Sequence, residues 1–165
     1  MLIFSFRNRK IFRMNLDAID KKILQKLQSN SKITNKKLSS ELNLSVTAIF
    51  ERIKRLERNK VISSYVALVK PAEVDKSFMV FCQIKLVQHS KSYVIKFEEE
   101  VAQLEEVLEC YHVSGEYDYI LKILVKDMEA YREFMLNKLT SLDHIGSTQS
   151  TFIISPVKST TALPL

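Results

Sequence analysis

The sequence predicts an α+β protein of two domains, and three observations carry that reading. Charge is divided unevenly: residues 1–65 hold fifteen Lys/Arg against five Asp/Glu, whereas residues 66–165 hold ten against fourteen. The first part repeats apolar residues at three- and four-residue intervals, the period of a helix with one buried face. The second part alternates strand-like and helix-like runs. A basic domain joined to a mildly acidic one suggests that one of them meets a polyanion.

The first helix lies in LDAIDKKILQKLQSN, where Ile19, Ile23 and Leu27 share a face with Leu24 beside them. Asp17 is its expected N-cap and Asn30-Ser31 its end. Thr34 caps a second helix that runs through Leu42 and buries Leu38 and Leu42. After the short turn Asn43-Leu44, Ser45 caps a third helix with Ile49, Ile53 and Leu56 inward. Two helices joined by about three residues, the second basic on its open face, are the ingredients of a helix-turn-helix. Asn59 is the expected left-handed C-cap of the third helix. VISSYVALV, rich in β-branched residues, then reads as a strand or wing.

This arrangement assigns roles along the third helix. In a major groove, Thr47, Ala48 and Glu51 lie near base edges. Arg52, Lys54, Arg55 and Arg58 are long cations suited to phosphates, and Ser45 can both cap the helix and touch a phosphate. The expected partner is double-stranded DNA.

In the second part, FMVFCQIKL places Val80, Cys82, Ile84 and Leu86 on one side of a strand. Val94, Phe97, Val101 and Leu104 follow at helical spacing. VLECYHV and YDYILKILV are strands separated by Ser114-Gly115-Glu116. Asp127 caps a further helix with Tyr131, Met135, Leu139 and Leu142 inward, and STFIIS is the last strand. The order βαββαβ is ferredoxin-like, with both helices on one sheet face. The third strand is apolar on both sides except at Lys122, and Met79 and Phe81 lie on the open side of the first. Two such faces packed together predict a dimer through this domain.

The expected domains are a basic extension at 1–13, a winged helix-turn-helix at 14–65, a linker strand and hinge at 66–77, the ferredoxin-like domain at 78–158 and a tail at 159–165. Met14 is an alternative start. The apolar stub before the basic residues is not a secretory signal. No run approaches the ~20 apolar residues that span a membrane. Cys82 and Cys110 are expected as reduced core residues, which with the DNA partner places the protein in the cytoplasm, at the nucleoid.

Two glycines occur in the chain, Gly115 and Gly146. Backbone N–H groups at the Gly115 turn can hold a carboxylate, Asp118 an ammonium, and the hydroxyls of Ser147, Thr148 and Ser150 can orient either. Such groups together suit an amino acid. The plainer reading is that both glycines satisfy tight turns. His89, His112 and His144 have no metal-ligand spacing, His112 reads as structural, and no nucleophile–base pair is present, so neither a metal nor a catalytic residue is expected.

LDAIDKKILQKLQ followed by LSSELNLSVTAIFERIKRLERNKVI, and then VSGEYDYILKI, resemble the leucine-responsive/asparagine-synthase regulator (Lrp/AsnC) family of bacterial and archaeal transcription factors. In the first two segments the resemblance rests on Leu16, Asp17, Asp20, Ile23, Leu24, Leu27, Leu38, Leu44, Ser45, Arg52, Ile53, Leu56 and Ile62. In the third it rests on the Gly-x-x-Asp turn. It implies a DNA-binding regulator, dimeric at minimum and often assembled as a tetramer, octamer or larger ring, with no cofactor but a small-molecule effector, commonly an amino acid or related metabolite. It also implies that Gly115, Glu116, Tyr117, Asp118 and the segment Ser147, Thr148, Gln149, Ser150 belong to the effector site. The family often has Gly at the position of Asn59 and near Lys76, and a Pro-Gly-Val form at the final segment, from which this chain departs. The competing functions are a ligand-independent architectural DNA-binding protein and an enzyme of the related tetrapyrrole decarboxylase type.

Overall fold

The structure is a computed structural model that describes residues 14–165. The basic extension and the alternative start preceding Met14 lie outside the described residues. The described residues form two compact units, one spanning Val69–Val157 and the other comprising residues 14–68 together with Lys158–Leu165.

The first unit along the chain is a three-helix cluster: α1 (Ala18–Ser29), α2 (Asn35–Leu42) and α3 (Val46–Arg58). Each begins where a polar cap allows it. Asp17 accepts from the Asp20 N–H and Asp20 reaches back to the Asp17 N–H, a reciprocal capping box. Thr34 accepts from Lys37 N–H and Ser45 from Ala48 N–H. Asn43, the α2 C-cap, takes the left-handed conformation at φ 52°, which turns the chain into α3. Ile23, Leu24, Leu38, Ile49, Ile53 and Leu56 form the core.

Two expectations change here. Asn59 is not left-handed (φ −83°); it caps α3 by donating its side-chain amide to the Arg55 carbonyl. The left-handed residue is the next one, Lys60, at φ 57°. No strand forms across residues 61–70. Val61 and Ile62 turn in against the helical core, and Tyr65 donates to Glu57, but Val66, Leu68 and Val69 are exposed. A strand needs a partner to satisfy its backbone, and none of the described residues of this unit supplies one. Among the described residues the unit is therefore a helix-turn-helix whose wing segment forms no strand.

The tail belongs to this unit. Gln28 holds the Leu163 peptide from both sides, its amide donating to the Leu163 carbonyl (3.0 Å) and accepting from the Leu163 N–H (2.7 Å). Gln25 donates to the Leu165 carbonyl at 3.1 Å.

The second unit follows a 3-10 turn at Pro71–Val74. It comprises β1 (Phe78–Leu86), α4 (Lys91–Val101), β2 (Val107–His112), β3 (Tyr119–Val125), α5 (Met128–Phe134) and β4 (Ile145–Phe152), with α5 continued by a π-helical turn, Met135–Leu139. The sheet order is β2-β3-β1-β4 and each neighbouring pair is antiparallel, which is the ferredoxin-like arrangement. Val80, Cys82, Ile84 and Leu86 of β1 meet Tyr119, Leu121, Ile123 and Val125 of β3 in one core with Phe97, Tyr131, Phe134 and Leu139. Leu104 packs on this core from beyond the end of α4.

The open face carries Met79 and Phe81 beside Leu124, Lys122 and Ile120, with Lys122 paired to Glu109 at 2.8 Å. Cys82 is buried, but Cys110, on the edge strand β2, is exposed rather than in the core. Among the described residues no helix is long and apolar enough to cross a membrane.

Candidate nucleic-acid interface and effector turn

The sequence of α3 separates its faces. Ile49 and Leu56 have no exposed surface, and Thr47, Phe50, Glu51, Lys54 and Arg58 are open to solvent. Ser45 is spent as a cap through its hydroxyl, but it remains exposed at the helix N-terminus.

The four cations assigned to phosphates divide into two pairs. Arg52 donates to Asp17 (2.6 Å) and Asp20 (2.7 Å), and Arg55 donates to the other Asp20 oxygen at 2.6 Å. Asp20 has no exposed surface, so both guanidinium groups are held on a buried carboxylate of α1. The Asp20 N–H, and then the Arg52 guanidinium, hold the Asp17 carboxyl below the usual carboxylate range. Lys54 pairs with Glu57 at 2.9 Å while lying 5.8 Å from the Phe50 ring centre. Arg58 forms no ion pair among the described residues. Charge and helical face alone group these cations together, and neither reveals that Asp20 points inward to meet two of them. The signal was present in the Asp20 position, one residue to the side of the Ile19/Ile23 stripe.

In the second unit the β2–β3 connection carries the Gly-x-x-Asp turn. Gly115 has φ 131°, a conformation side chains rarely adopt, although the space beside it is open. Val113 N–H donates to the Asp118 carbonyl, and Asp118 N–H to the Ile84 carbonyl, both at 2.8 Å. The turn borders an open depression of about 620 Å³ lined by Gln83, Ile120, His112, Ser114, Glu116 and Tyr117, with Val113.

The final strand begins earlier than expected, so Ser147, Thr148 and Gln149 lie in β4 together with Ser150 rather than before it. Alternation then separates them. Ser147 and Gln149 pair opposite Lys85 and Gln83, on the open face, and the Tyr117 hydroxyl donates to Gln149. Thr148 and Ser150 pair opposite the buried Ile84 and Cys82, and Ser150 is 2.6 Å from the Tyr131 hydroxyl. Gly146 is likewise not in a turn. A Cβ there would meet backbone atoms of Lys85 and Val87 at 3.3 Å, so the glycine permits close approach at the irregular end of β1.

Asp118 is already engaged: one oxygen accepts from Leu86 N–H at 2.8 Å and the other contacts His89 Nε2 at 2.7 Å. Burial pushes its carboxyl up, but the Leu86 N–H and His89 outweigh that and hold it below the usual range. His89 was not legible as its partner, being distant in sequence. Among the described residues no group of three or more His, Cys, Asp or Glu is placed to hold a metal.

Comparison with known proteins agrees with both halves. Residues 16–57 match the AsnC-type helix-turn-helix domain and residues 79–163 the Lrp/AsnC ligand binding domain. The chain is 41% identical over 150 residues to the leucine-responsive regulatory protein of Haemophilus influenzae, covering 91% of this chain and 90% of that one. It is 39% identical over 149 residues to that of Escherichia coli K12, covering 90% and 91%. A transcriptional regulator of Neisseria meningitidis, solved in complex with L-Met, superposes with a TM-score of 0.87 at 35% identity, over 91% of this chain and 97% of that one. An AsnC family regulator of Agrobacterium tumefaciens gives 0.86 at 35% identity, over 90% and 97%. Fold, motif and relatives agree over nearly the whole described chain, which belongs to the Lrp/AsnC family of transcriptional regulators.

Proposed function

We infer that this protein is a transcriptional regulator that binds specific duplex DNA through α3 and responds to an amino acid or a related small metabolite held near the Gly115 turn. The observation that carries the DNA reading is α3 itself: a capped, amphipathic helix with a polar and cationic open face behind a left-handed turn at Asn43. Thr47, Ala48 and Glu51 are the base-edge candidates, and Ser45, Lys54 and Arg58 the phosphate candidates. Arg52 and Arg55 are reassigned as positioning residues, because the buried Asp20 holds both.

For the effector, Glu116 and Tyr117, which line the depression, are the favoured contacts, with Gln149 joined to Tyr117 by a hydrogen bond and Gly115 shaping the turn that carries them. Ser147 shares their face. Asp118 orders the turn and the end of β1 rather than standing open for an ammonium. Thr148 and Ser150 support the helix-covered side. The L-Met complex of the Neisseria relative makes methionine the first amino acid to test. The apolar open sheet face supports assembly as a dimer, and family membership supports larger assemblies of dimers. A DNA-binding regulator of this kind would work in the cytoplasm, at the nucleoid, and this reading gives it no catalytic role.

The test is mass by light scattering together with binding to genomic fragments that include its own promoter, with and without each of the twenty amino acids. One amino acid that changes both assembly and fragment binding supports the effector reading. Selective fragment binding that no amino acid alters removes the amino-acid effector and leaves the DNA reading. Broad, strongly salt-dependent binding without selectivity supports the architectural alternative.

A further inference from the structure

Phe50 is an apolar side chain that the core of its own unit does not use. Ile49, Ile53 and Leu56 complete the buried stripe of α3, whereas Phe50 remains 43% exposed and Val46, one turn earlier, 47% exposed. Both lie in the N-terminal half of the helix, the part of a recognition helix that reaches base edges. The Lys54 ammonium sits 5.8 Å from the Phe50 ring centre and is held there by Glu57 at 2.9 Å, so the ring is braced on its C-terminal side.

The surroundings favour a polyanion over an apolar protein surface. Thr47, Glu51 and Arg58 flank the ring's side of the helix, and residues 14–65 carry eleven Lys/Arg against five Asp/Glu. On the floor of the major groove one group is apolar and projects outward: the 5-methyl of thymine. Cations and hydroxyls gain little from it, whereas an exposed aromatic edge buries it.

We propose that Phe50, assisted by Val46, is a specificity-determining residue that reads thymine methyl groups in the major groove. This rests on the DNA-binding reading of α3 and adds a base-level rule to it: at the contacted positions the protein distinguishes thymine from cytosine, and also from uracil, which pairs identically but lacks the methyl.

The test uses the full chain. Duplexes are selected from a random library by the wild-type protein, and each thymine of the selected site is then replaced singly by deoxyuridine. The expected result is a loss of about fourfold in affinity at the contacted thymines, the effect of one buried methyl. Phe50→Ala should bind thymine and deoxyuridine duplexes within about twofold of each other, while Phe50→Leu retains part of the preference. Equal binding of both duplexes by the wild type overturns the proposal, as does a thymine preference that survives in Phe50→Ala. A variant that keeps the preference but changes mass in light scattering also overturns it, and makes Phe50 a contact between copies. Failure to select any duplex is a different result, since it defeats the DNA reading itself.

Discussion

Replacing Asp20 with Asn should be among the most damaging single changes in the helical unit. Asp20 has no exposed surface, and its two oxygens receive Arg52 at 2.7 Å and Arg55 at 2.6 Å. Asn is nearly isosteric and can preserve the bond to the Asp17 N–H, so the substitution removes the charge and the one Asp20 acceptor that Arg52 uses. Hydrogen bonds to charged groups contribute about 1.5–3 kcal/mol each. Breaking a fully buried ion pair costs about 3–5 kcal/mol, because it strands a buried charge. Here the stranded cations are not buried: the side chains of Arg52 and Arg55 are 28% and 43% exposed. Water recovers part of the loss, and the expected destabilisation is about 2–3 kcal/mol.

For a unit of this size that lowers Tm by about 10–20 °C. Urea unfolding followed by circular dichroism, combined with an Asp20→Asn/Arg52→Met double-mutant cycle, measures it. The coupling between the two changes should reach about 1–2 kcal/mol. A loss below about 0.5 kcal/mol, or a coupling of zero, would show that the cluster is an incidental surface arrangement.

Three further outcomes follow from named positions. Lys60→Gly should stabilise the helical unit by about 1 kcal/mol, since a left-handed residue with a side chain gives way to one without; unchanged urea midpoints would refute this. Asp118→Asn should destabilise the ferredoxin-like unit at neutral pH. The folded carboxyl titrates below its ordinary value of about 3.9, so its contribution is complete above that value and is lost as pH falls through the lower folded one; a wild-type/variant gap that does not shrink on acidification contradicts the assignment. Gln28→Ala should raise hydrogen exchange at the Leu163 amide by up to about tenfold, and an unchanged rate would mean the tail is held by something else.

Much of this architecture was legible because it obeys local rules. Asp17, Thr34, Ser45 and Asp127 cap helices as their residue types dictate, and the alternation of β1 places Val80, Cys82, Ile84 and Leu86 inward. What was not legible depended on partners. The run from Val61 has strand composition but no strand to pair with, and composition cannot supply one. The early start of β4 was hidden because Gly146, Ser147 and Thr148 are poor or polar strand residues, held in register by β1. The same tertiary pairing sorted the effector candidates, leaving Gln149 and Ser147 on the open face and Thr148 and Ser150 on the covered one. Asp118 looked available because its partners, Leu86 N–H and His89, are remote in sequence.

The ion pairs of α3 also change what the charge of the basic half implies about DNA. Fifteen Lys/Arg in residues 1–65 suggest a steep salt dependence. Net charge sets the long-range field, however, while the salt slope counts the phosphates that are neutralised. If Arg52 and Arg55 remain on Asp20 in the complex while the exposed Lys54–Glu57 pair opens, each α3 brings Lys54 and Arg58 to the backbone. A dimer then neutralises about four phosphates through its α3 helices, for a slope near −4, whereas recruiting all four cations doubles the count to about eight and the slope to about −7. A chain beginning at Met14 removes the contribution of the four preceding cations and makes the comparison clean. In that background Arg58→Ala should reduce the slope by about 2 per dimer, and Arg52→Met should leave it unchanged while lowering stability. A slope that falls equally for both would mean that DNA draws Arg52 away from Asp20, and the cluster would then be a store of phosphate-binding groups rather than a brace for α3.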